Sequence, residues 1–155
     1  MIPKILLSTC LLLVFSVSAQ ASDWVEGDHF RARLAAVPEG SNRIAVLEIE
    51  MDEGWHTYGQ EPGDAGLPPR FHWEDSKNLK DVNINWPPTR EKREFDMFTV
   101  NAYEGLAQFP LDITPEVEDK NVDLDLSLKI MVCSDICIPA EADLSLNLTY
   151  SSHTP

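Results

Sequence analysis

The chain has 155 residues and a formal net charge of −14, because 26 Asp and Glu outnumber 12 Lys and Arg. This acidic balance argues against nucleic acids and anionic membrane surfaces as partners, since both are negatively charged themselves. A chain of this length forms one domain with a core large enough to fold without disulfide support, which excludes the class of small disulfide-rich toxins and growth factors.

Residues 1–21 have the pattern of a secretory signal peptide. Lys4 supplies a positive charge, an apolar run follows, and Ala19-Gln20-Ala21 is a small-x-small cleavage site. The apolar run is about 13 residues long, shorter than the roughly 20 that a membrane-spanning helix needs, so an uncleaved anchor is the less favoured alternative. We therefore expect a mature single domain of residues 22–155, outside the membrane and, in a Gram-negative bacterium, in the periplasm.

The rest of the chain alternates apolar and polar residues in short runs separated by Gly, Pro, Asn and Asp. Such alternation is typical of β-strands with one buried face. In chain order the runs are residues 29–36, 44–51, 54–58, 71–73, 82–86, 98–103, 107–113, 122–132 and 143–150. About eight short strands in one domain predict an all-β, immunoglobulin-like two-sheet sandwich, and an eight-stranded barrel is the alternative.

The two strongest strand patterns flank the cysteine pair of the mature domain, Cys133 and Cys137. Even-numbered residues from Val122 to Val132 face the predicted core, so Cys133 falls at the strand end, on the other face or in the connecting loop. We therefore expect the pair at the end or edge of a sheet, where a partner protein can reach it.

A disulfide between these cysteines contributes little to stability. Closing a loop of about five residues restricts the unfolded chain by about 2 kcal/mol, against nearly 5 kcal/mol for a loop of about 100 residues. A short, accessible loop suits a bond that opens and closes, so the spacing favours a redox role over a structural one. We expect the negative charges of Asp135 and Glu141 to disfavour thiolates and to slow attack by small thiols.

Copper binding is an alternative role for the same cysteines. Two thiolates together with Met131 supply the soft ligands that Cu(I) prefers. The sequence contains no Ser-His-Asp arrangement, no phosphate-binding glycine loop and no zinc-binding spacing. We therefore predict neither a hydrolase nor a bound cofactor, and a passive immunoglobulin-like interaction module is the third possibility.

Four segments occur in a specific order: residues 54–59 (GWHTYG), 62–68 (PGDAGLP), 86–88 (WPP) and 131–139 (MVCSDICIP). Together they resemble the periplasmic N-terminal domain of the disulfide reductase DsbD, especially its ScsB-type branch, from about residue 28 to residue 150. The resemblance implies an immunoglobulin-like sandwich in which Cys133 and Cys137 carry electrons. One of the two cysteines forms the mixed disulfide with a partner and the other resolves it.

The resemblance also implies residues that shield the cysteines. Members of the family cover their cysteines with a cap loop that bears a phenylalanine, and residues 91–96 match that loop. Phe95 is therefore the predicted cap residue and Phe98 the second choice, with an ordinary core role as the alternative. His56 and Tyr58 fall where the family places aromatic residues beside the sulfurs.

The printed chain carries neither the membrane domain nor the thioredoxin-like domain of DsbD. We therefore expect a separate electron donor, either a thioredoxin-like protein or a membrane electron transporter, and periplasmic thiol proteins as acceptors. The protein itself is expected to be a monomer.

Overall fold

The computed structural model describes residues 20–37 and 44–150, and their regular structure consists of β-strands. Most of the predicted signal peptide, residues 1–19, lies outside the described residues. Within the described ranges, no helix has the length and apolar character that crossing a membrane requires. The described strands are β1 (Val25–Gly27), β2 (Phe30–Ala36), β3 (Ile44–Met51), β4 (His56–Gly63), β5 (Arg70–His72), β6 (Leu79–Ile84), β7 (Arg90–Glu94), β8 (Phe98–Glu104), β9 (Leu106–Pro115), β10 (Val122–Cys133) and β11 (Cys137–Leu148).

The strands form two antiparallel sheets. One has the order β1-β2-β3-β9-β6, and the other has the order β11-β10-β4-β8-β7, with β5 also pairing with β10. Two antiparallel sheets packed face to face are the architecture of an immunoglobulin-like sandwich. The predicted fold class is therefore confirmed, and the barrel alternative is excluded for the described residues.

The main core lies between the sheets, where the alternating residues of each strand point inward. In β10 the even-numbered residues predicted to face the core are all buried, and β9 alternates buried and exposed residues along its whole length. The least exposed large side chains of this core are Leu34, Leu47, Ile49, Phe109, Leu111, Leu124, Leu126, Leu128 and Leu144.

Apart from shifts of up to three residues at other strand ends, four strands differ from the sequence prediction. β4 extends to Gly63, five residues beyond the end of the predicted run. The short β1 and the charged β7 carry no apolar alternation and were not predicted, and they form because β2 and β8 offer them hydrogen-bonding edges. β11 begins at Cys137 and runs through Pro139, six positions before the predicted start at residue 143. A proline is tolerated there because β11 lies at the edge of its sheet, where one row of N–H groups needs no partner.

The register of β10 and β11 places the cysteine pair at one end of the second sheet. Pairing runs from Val122↔Leu148 to Cys133↔Cys137, so the two cysteines lie directly opposite each other. Cys133 also pairs with His56, the first residue of β4, on the other side of β10. The sheet end therefore brings residues from three strands to one point.

Candidate functional site

The two cysteines form a disulfide at the end of the β10–β11 hairpin, with their Cα atoms 4.1 Å apart. The turn between them is closed by the Ser134 N–H, which donates to the Ile136 carbonyl at 2.9 Å. Cys133 is completely buried, whereas Cys137 is exposed to solvent. A molecule approaching from outside therefore meets Cys137 before Cys133.

Cys133 packs against a small cluster on the face of the sheet that points away from the main core. Tyr58, Val100 and Ala102 form this cluster with Cys133, and Phe98 and Met131 pack against it. Odd-numbered residues of β10 point to this face, which explains why Met131 and Cys133 share it. The site is thus separate from the hydrophobic core that holds the two sheets together.

Gly66 explains how the glycine-containing segment 62–68 contributes to the site. Its φ angle is +91°, and a Cβ atom there would lie 2.4 Å from ring atoms of Tyr58. Glycine is therefore required both by the backbone conformation and by the close approach of the Tyr58 ring. The loop after β4 packs directly on Tyr58 and holds the phenol against the disulfide.

Four buried polar groups form a hydrogen-bonded chain that ends at the disulfide. The Tyr58 hydroxyl lies 3.0 Å from Cys133 Sγ, 3.7 Å from Cys137 Sγ and 2.8 Å from Glu94 Oε1. The same Glu94 oxygen lies 3.1 Å from His56 Nε2. Glu94 is only 4% exposed, and His56 and Tyr58 are buried as fully. The chain therefore runs from His56 through Glu94 and Tyr58 to Cys133.

The surroundings of His56 indicate which of its ring nitrogens carries the proton. Nε2 faces a carboxylate oxygen and is the donor, whereas the buried Nδ1 has no hydrogen-bond partner among the described residues. A lone pair without a partner costs less than an N–H or a charge without one, so the neutral Nε2–H tautomer fits the site. Burial, and to a smaller extent the ammonium of Lys92, lowers the pKa of His56, although Glu94 and Glu104 act in the opposite direction.

Tyr58 is held in its neutral form. Burial, followed by the hydrogen bond to Glu94 and the negative charge of that carboxylate, raises the pKa of Tyr58 well above its ordinary value. Its single hydroxyl proton has two acceptors within reach, Glu94 Oε1 and Cys133 Sγ. Tyr58 can therefore turn its proton from the carboxylate to the sulfur without leaving its place.

Among the described residues, His56, Glu94 and Cys133 form a group whose donor atoms lie within 4.8 Å of one another, close enough to hold a metal ion. The sulfur is bonded to Cys137, and the Tyr58 hydroxyl already lies within hydrogen-bond distance of both Glu94 and Cys133. We assign no metal to this group. Met131, the third residue of the Cu(I) alternative, packs on the same cluster, and that alternative stays a prediction.

The predicted cap segment forms the β7–β8 hairpin, whose tip is apolar and strained. Phe95 and Asp96 have φ angles of +50° and +55°, the left-handed pair of a type I′ turn, in which Asn and Gly are the usual residues. The Phe95 side chain is 51% exposed, and the exposed side chains of Met97 and Ile136 add to the apolar surface of the two turns. Phe98 instead points inward and packs on the cluster around Cys133.

A cleft of about 560 Å³ separates the two turns at this end of the sheet. It is lined by Glu53, Gly54, Trp55, His56, Lys92, Arg93, Glu94, Phe95, Asp96, Ser134 and Asp135. The His56–Glu94 pair therefore adjoins a solvent-filled space, although both side chains are buried. Phe95 lies across this cleft from the turn that carries the cysteines.

The two acidic residues that were predicted to modulate the cysteines lie in different places. Asp135 is exposed in the turn between the cysteines and lines the cleft. Glu141 lies four residue pairs along the hairpin from the disulfide, about 13 Å away at the usual rise of a strand, and forms an ion pair with Lys129 at 3.2 Å. Glu94, rather than Glu141, is the carboxylate beside the sulfurs.

Sequence reasoning missed Glu94, although it lies in the segment matched to the cap loop. Nothing distinguishes it from Glu91 in the sequence, because both belong to a strand of charged residues. The position of Glu94 directly before Phe95 was the one available signal. The last residue of a strand before a tight turn faces a predictable side of the sheet, so this position could have placed Glu94 on the side of the cysteines. Sequence reasoning did predict that His56 and Tyr58 lie close to the cysteines.

Comparison with known proteins gives a family match over most of the chain. The family model for the N-terminal part of the thiol:disulfide interchange protein DsbD matches residues 21–149. The N-terminal periplasmic domain of ScsB from Proteus mirabilis superimposes with a TM-score of 0.64 at 26% identity, covering 85% of this chain and 52% of that chain. This chain thus spans about half the length of that ScsB structure. No curated protein sequence gives a significant match.

A second solved structure supports the fold alone. The N-terminal domain of DsbD from Neisseria meningitidis, in the reduced form, gives a TM-score of 0.51 at 14% identity. The match covers 80% of this chain and 87% of that chain.

The lowered pKa of His56 predicts a loss of stability in acid. The unfolded chain binds a proton at His56 near pH 6.5 and the folded protein binds it only at lower pH, so the free energy of unfolding falls as the pH drops below about 6.5. The slope from this one residue is at most about 1.4 kcal/mol per pH unit. Urea denaturation of the oxidised protein at pH 7.0 and pH 5.5 measures this change in the free energy of unfolding.

His56→Gln keeps a hydrogen-bond donor but removes the titration, and we expect it to lose less stability than the wild type between these two pH values. His72→Gln is the matched control, because it alters a half-exposed imidazole far from the cysteines. Equal losses in the wild type and in His56→Gln would contradict the neutral, buried state of His56.

Proposed function

The chain belongs to the family of DsbD N-terminal domains, and from this membership and the unequal exposure of its two cysteines we propose that it is a thiol–disulfide exchange protein. The observation that carries the proposal is a disulfide with one buried and one exposed cysteine, at the tip of a hairpin outside the main core. A structural disulfide gains from burial of both sulfurs, whereas an exchanging one needs one sulfur that a partner can reach.

We propose that the exchange begins at Cys137. A thiolate of the electron donor attacks Cys137 Sγ, the bond between the two sulfurs breaks, and the electron pair stays on Cys133 Sγ. The product is a mixed disulfide between the donor and Cys137. A second thiol of the donor, as a thiolate, then attacks the donor's own sulfur and releases Cys137, so that two electrons have passed to this protein and the donor is oxidised.

Electrons leave by the same steps in reverse. The Cys137 thiolate attacks a disulfide of the acceptor, and Cys133 resolves the mixed disulfide by attacking Cys137 and re-forming the original bond. A thioredoxin-like protein or a membrane electron transporter is the proposed donor, and proteins with exchangeable disulfides are the proposed acceptors. The exposed apolar side chains of Phe95, Met97 and Ile136 in the two turns at this end of the sheet offer such partners a contact surface.

We further propose that this exchange takes place in the periplasm, in a domain that begins at residue 22. The described chain is compatible with this boundary, because Ser22 itself contacts β2: its N–H donates to the Leu34 carbonyl at 2.8 Å and its Oγ accepts from the Leu34 N–H at 3.0 Å. A domain cleaved after Ala21 keeps these contacts of Ser22, and it loses the bridge between Ala21 and Ala35 and the bond from the Ala36 N–H to the Gln20 carbonyl.

Phe95 is the proposed cap of the site. A bulky residue at a φ of +50° is strained by about 1–2 kcal/mol, and Asn or Gly would relieve that strain. Because the phenylalanine is half-exposed, its burial contributes little free energy to offset this strain. A role in covering the sulfurs from small thiols, or in contacting a partner, explains why the hairpin carries it.

The proposed exchange predicts which cysteine a partner attacks. Oxidised protein is mixed with a reduced thioredoxin that lacks its resolving cysteine, and the trapped complex is mapped by mass spectrometry. We expect the link to be at Cys137, because Cys133 is buried. A link at Cys133 would reverse the assignment. The absence of any trapped complex would favour the passive interaction module, and the Cys133→Ala/Cys137→Ala variant is the control.

Tyr58 is expected to stabilise the sulfur that leaves. Its hydroxyl lies 3.0 Å from Cys133 Sγ, and a hydrogen bond to a charged group is worth about 1.5–3 kcal/mol. Tyr58→Phe should therefore slow reduction by dithiothreitol about tenfold or more. Tyr103→Phe is the matched control, because that buried hydroxyl donates to the Pro87 carbonyl at 2.7 Å instead. A Tyr58→Phe rate equal to that of the wild type would contradict this role.

Removal of the cap should expose the disulfide. Phe95→Gly allows the backbone to keep its left-handed conformation and deletes the side chain. We expect glutathione to reduce this variant several-fold faster than the wild type, as measured by the release of free thiols over time. Met97→Ala, which shortens an exposed side chain of the same turn, is the control. Unchanged rates in Phe95→Gly would show that Phe95 does not shield the cysteines.

A further inference from the structure

The exchange proposed above leaves a negative charge on a sulfur that water does not reach. A thiolate that leaves into water needs no acid, because water solvates it. Cys133 is completely buried, and its neighbour Glu94 accepts hydrogen bonds in the manner of an ionised carboxylate. Two buried anions close together are costly, so the step is eased by delivering a proton to the sulfur as the bond breaks.

The structure contains an unbroken path for such a proton. The consecutive separations from Cys133 Sγ to the Tyr58 oxygen, to Glu94 Oε1 and to His56 Nε2 are 3.0, 2.8 and 3.1 Å. Each is a hydrogen-bond distance, and each member of the path is buried. Burial and Glu94 strongly disfavour the ionised form of Tyr58, so Tyr58 cannot give up its proton unless another proton replaces it. The replacement comes from the side of Glu94 and His56.

At the His56 end of the path, one ring nitrogen is free to accept a proton. His56 Nδ1 has a lone pair without a partner in the described structure, and His56 and Glu94 both line the cleft between the two turns. A fixed hydrogen-bond donor on Nδ1 would block uptake at that atom. Nδ1 is itself buried, and it is the atom of the path that is free to accept a proton, which reaches it when water enters from the adjoining cleft.

We propose that His56 is a proton-relay residue that feeds Cys133 through Glu94 and Tyr58. This inference rests on the proposed exchange function. As the donor thiolate attacks Cys137 and the disulfide breaks, the Tyr58 proton moves to Cys133 Sγ and forms a thiol. Glu94 passes the proton of His56 Nε2 to the Tyr58 oxygen, and water that enters from the cleft supplies a proton to Nδ1. One proton is consumed for each mixed disulfide formed, and it returns to solvent when Cys133 re-forms the disulfide.

The charged groups around His56 are compatible with this role. Glu94 of β7 faces the His56 ring. Glu104 of β8 is the cross-strand neighbour of His56 and forms an ion pair with Lys92 of β7. Lys92 disfavours a positive charge on the ring, whereas Glu94 and, to a smaller extent, Glu104 favour it. Burial is the largest influence and lowers the pKa of His56, so the ring is neutral at rest, and it lies beside a carboxylate that can take its Nε2 proton during the transfer.

The experiment measures reduction of the oxidised protein by dithiothreitol at pH 7. We expect His56→Ala and His56→Gln to be reduced at least about tenfold more slowly than the wild type, since general acid catalysis by a positioned group contributes up to about 10²–10⁴-fold. Added imidazole should restore the rate of His56→Ala, where it can occupy the space beside the cleft. It should not accelerate the wild type, the His56→Gln variant or the control His72→Ala.

Several outcomes would overturn the relay. Wild-type rates in both His56 variants would do so, and so would a slow His56→Ala that imidazole does not restore, since a purely structural role predicts that result. If His56→Ala does not fold, His56→Gln decides, because it keeps a donor toward Glu94 but cannot pass a proton on. Failure of the wild type itself to be reduced would instead contradict the exchange function.

Discussion

The pairing register between β10 and β11 is the constraint on which the site depends. Twelve cross-strand pairs, from Val122↔Leu148 to Cys133↔Cys137, set the two sulfurs opposite each other at the end of the sheet. A slip of one residue would move every side chain of a strand to the opposite face and remove the leucines of β10 from the core. The burial of those leucines therefore holds the cysteines in place, although neither cysteine belongs to the main core.

Burial of a carboxylate on the outer face of this sheet organises the rest of the site. Glu94 lies almost out of reach of water and must have hydrogen-bond donors, which it finds in Tyr58 and His56. These two residues are two apart in β4 and so share a face, which β4 presents beside Cys133 through the His56↔Cys133 pair. Satisfying the carboxylate thus also places a phenol against the disulfide and an imidazole behind it.

Much of the fold follows from local patterns, because strands with one buried face alternate visibly in the sequence. That signal predicted β2, β3, β9 and β10 and the two-sheet sandwich. It failed for β7, whose residues are all charged, and for the second half of β4, where Gly59 and Gly63 interrupt any alternation. The cysteines, His56 and Tyr58 were predicted through segments that resemble a family. Glu94 was not, because its importance arises from contacts between residues 36 and 38 positions apart in the chain.

The separation between core and site explains how this protein can open a disulfide without losing its fold. The sulfurs pack on a small cluster around Tyr58, while the two sheets are held together by a much larger set of leucines, isoleucines and phenylalanines. The bond closes a loop of only five residues, whose restriction of the unfolded chain is worth about 2 kcal/mol. Breaking it therefore removes little stability and leaves the β10–β11 ladder intact up to its last pair. We therefore expect the reduced cysteines to stay opposite each other, which is the geometry that the proposed resolution of a mixed disulfide by Cys133 requires.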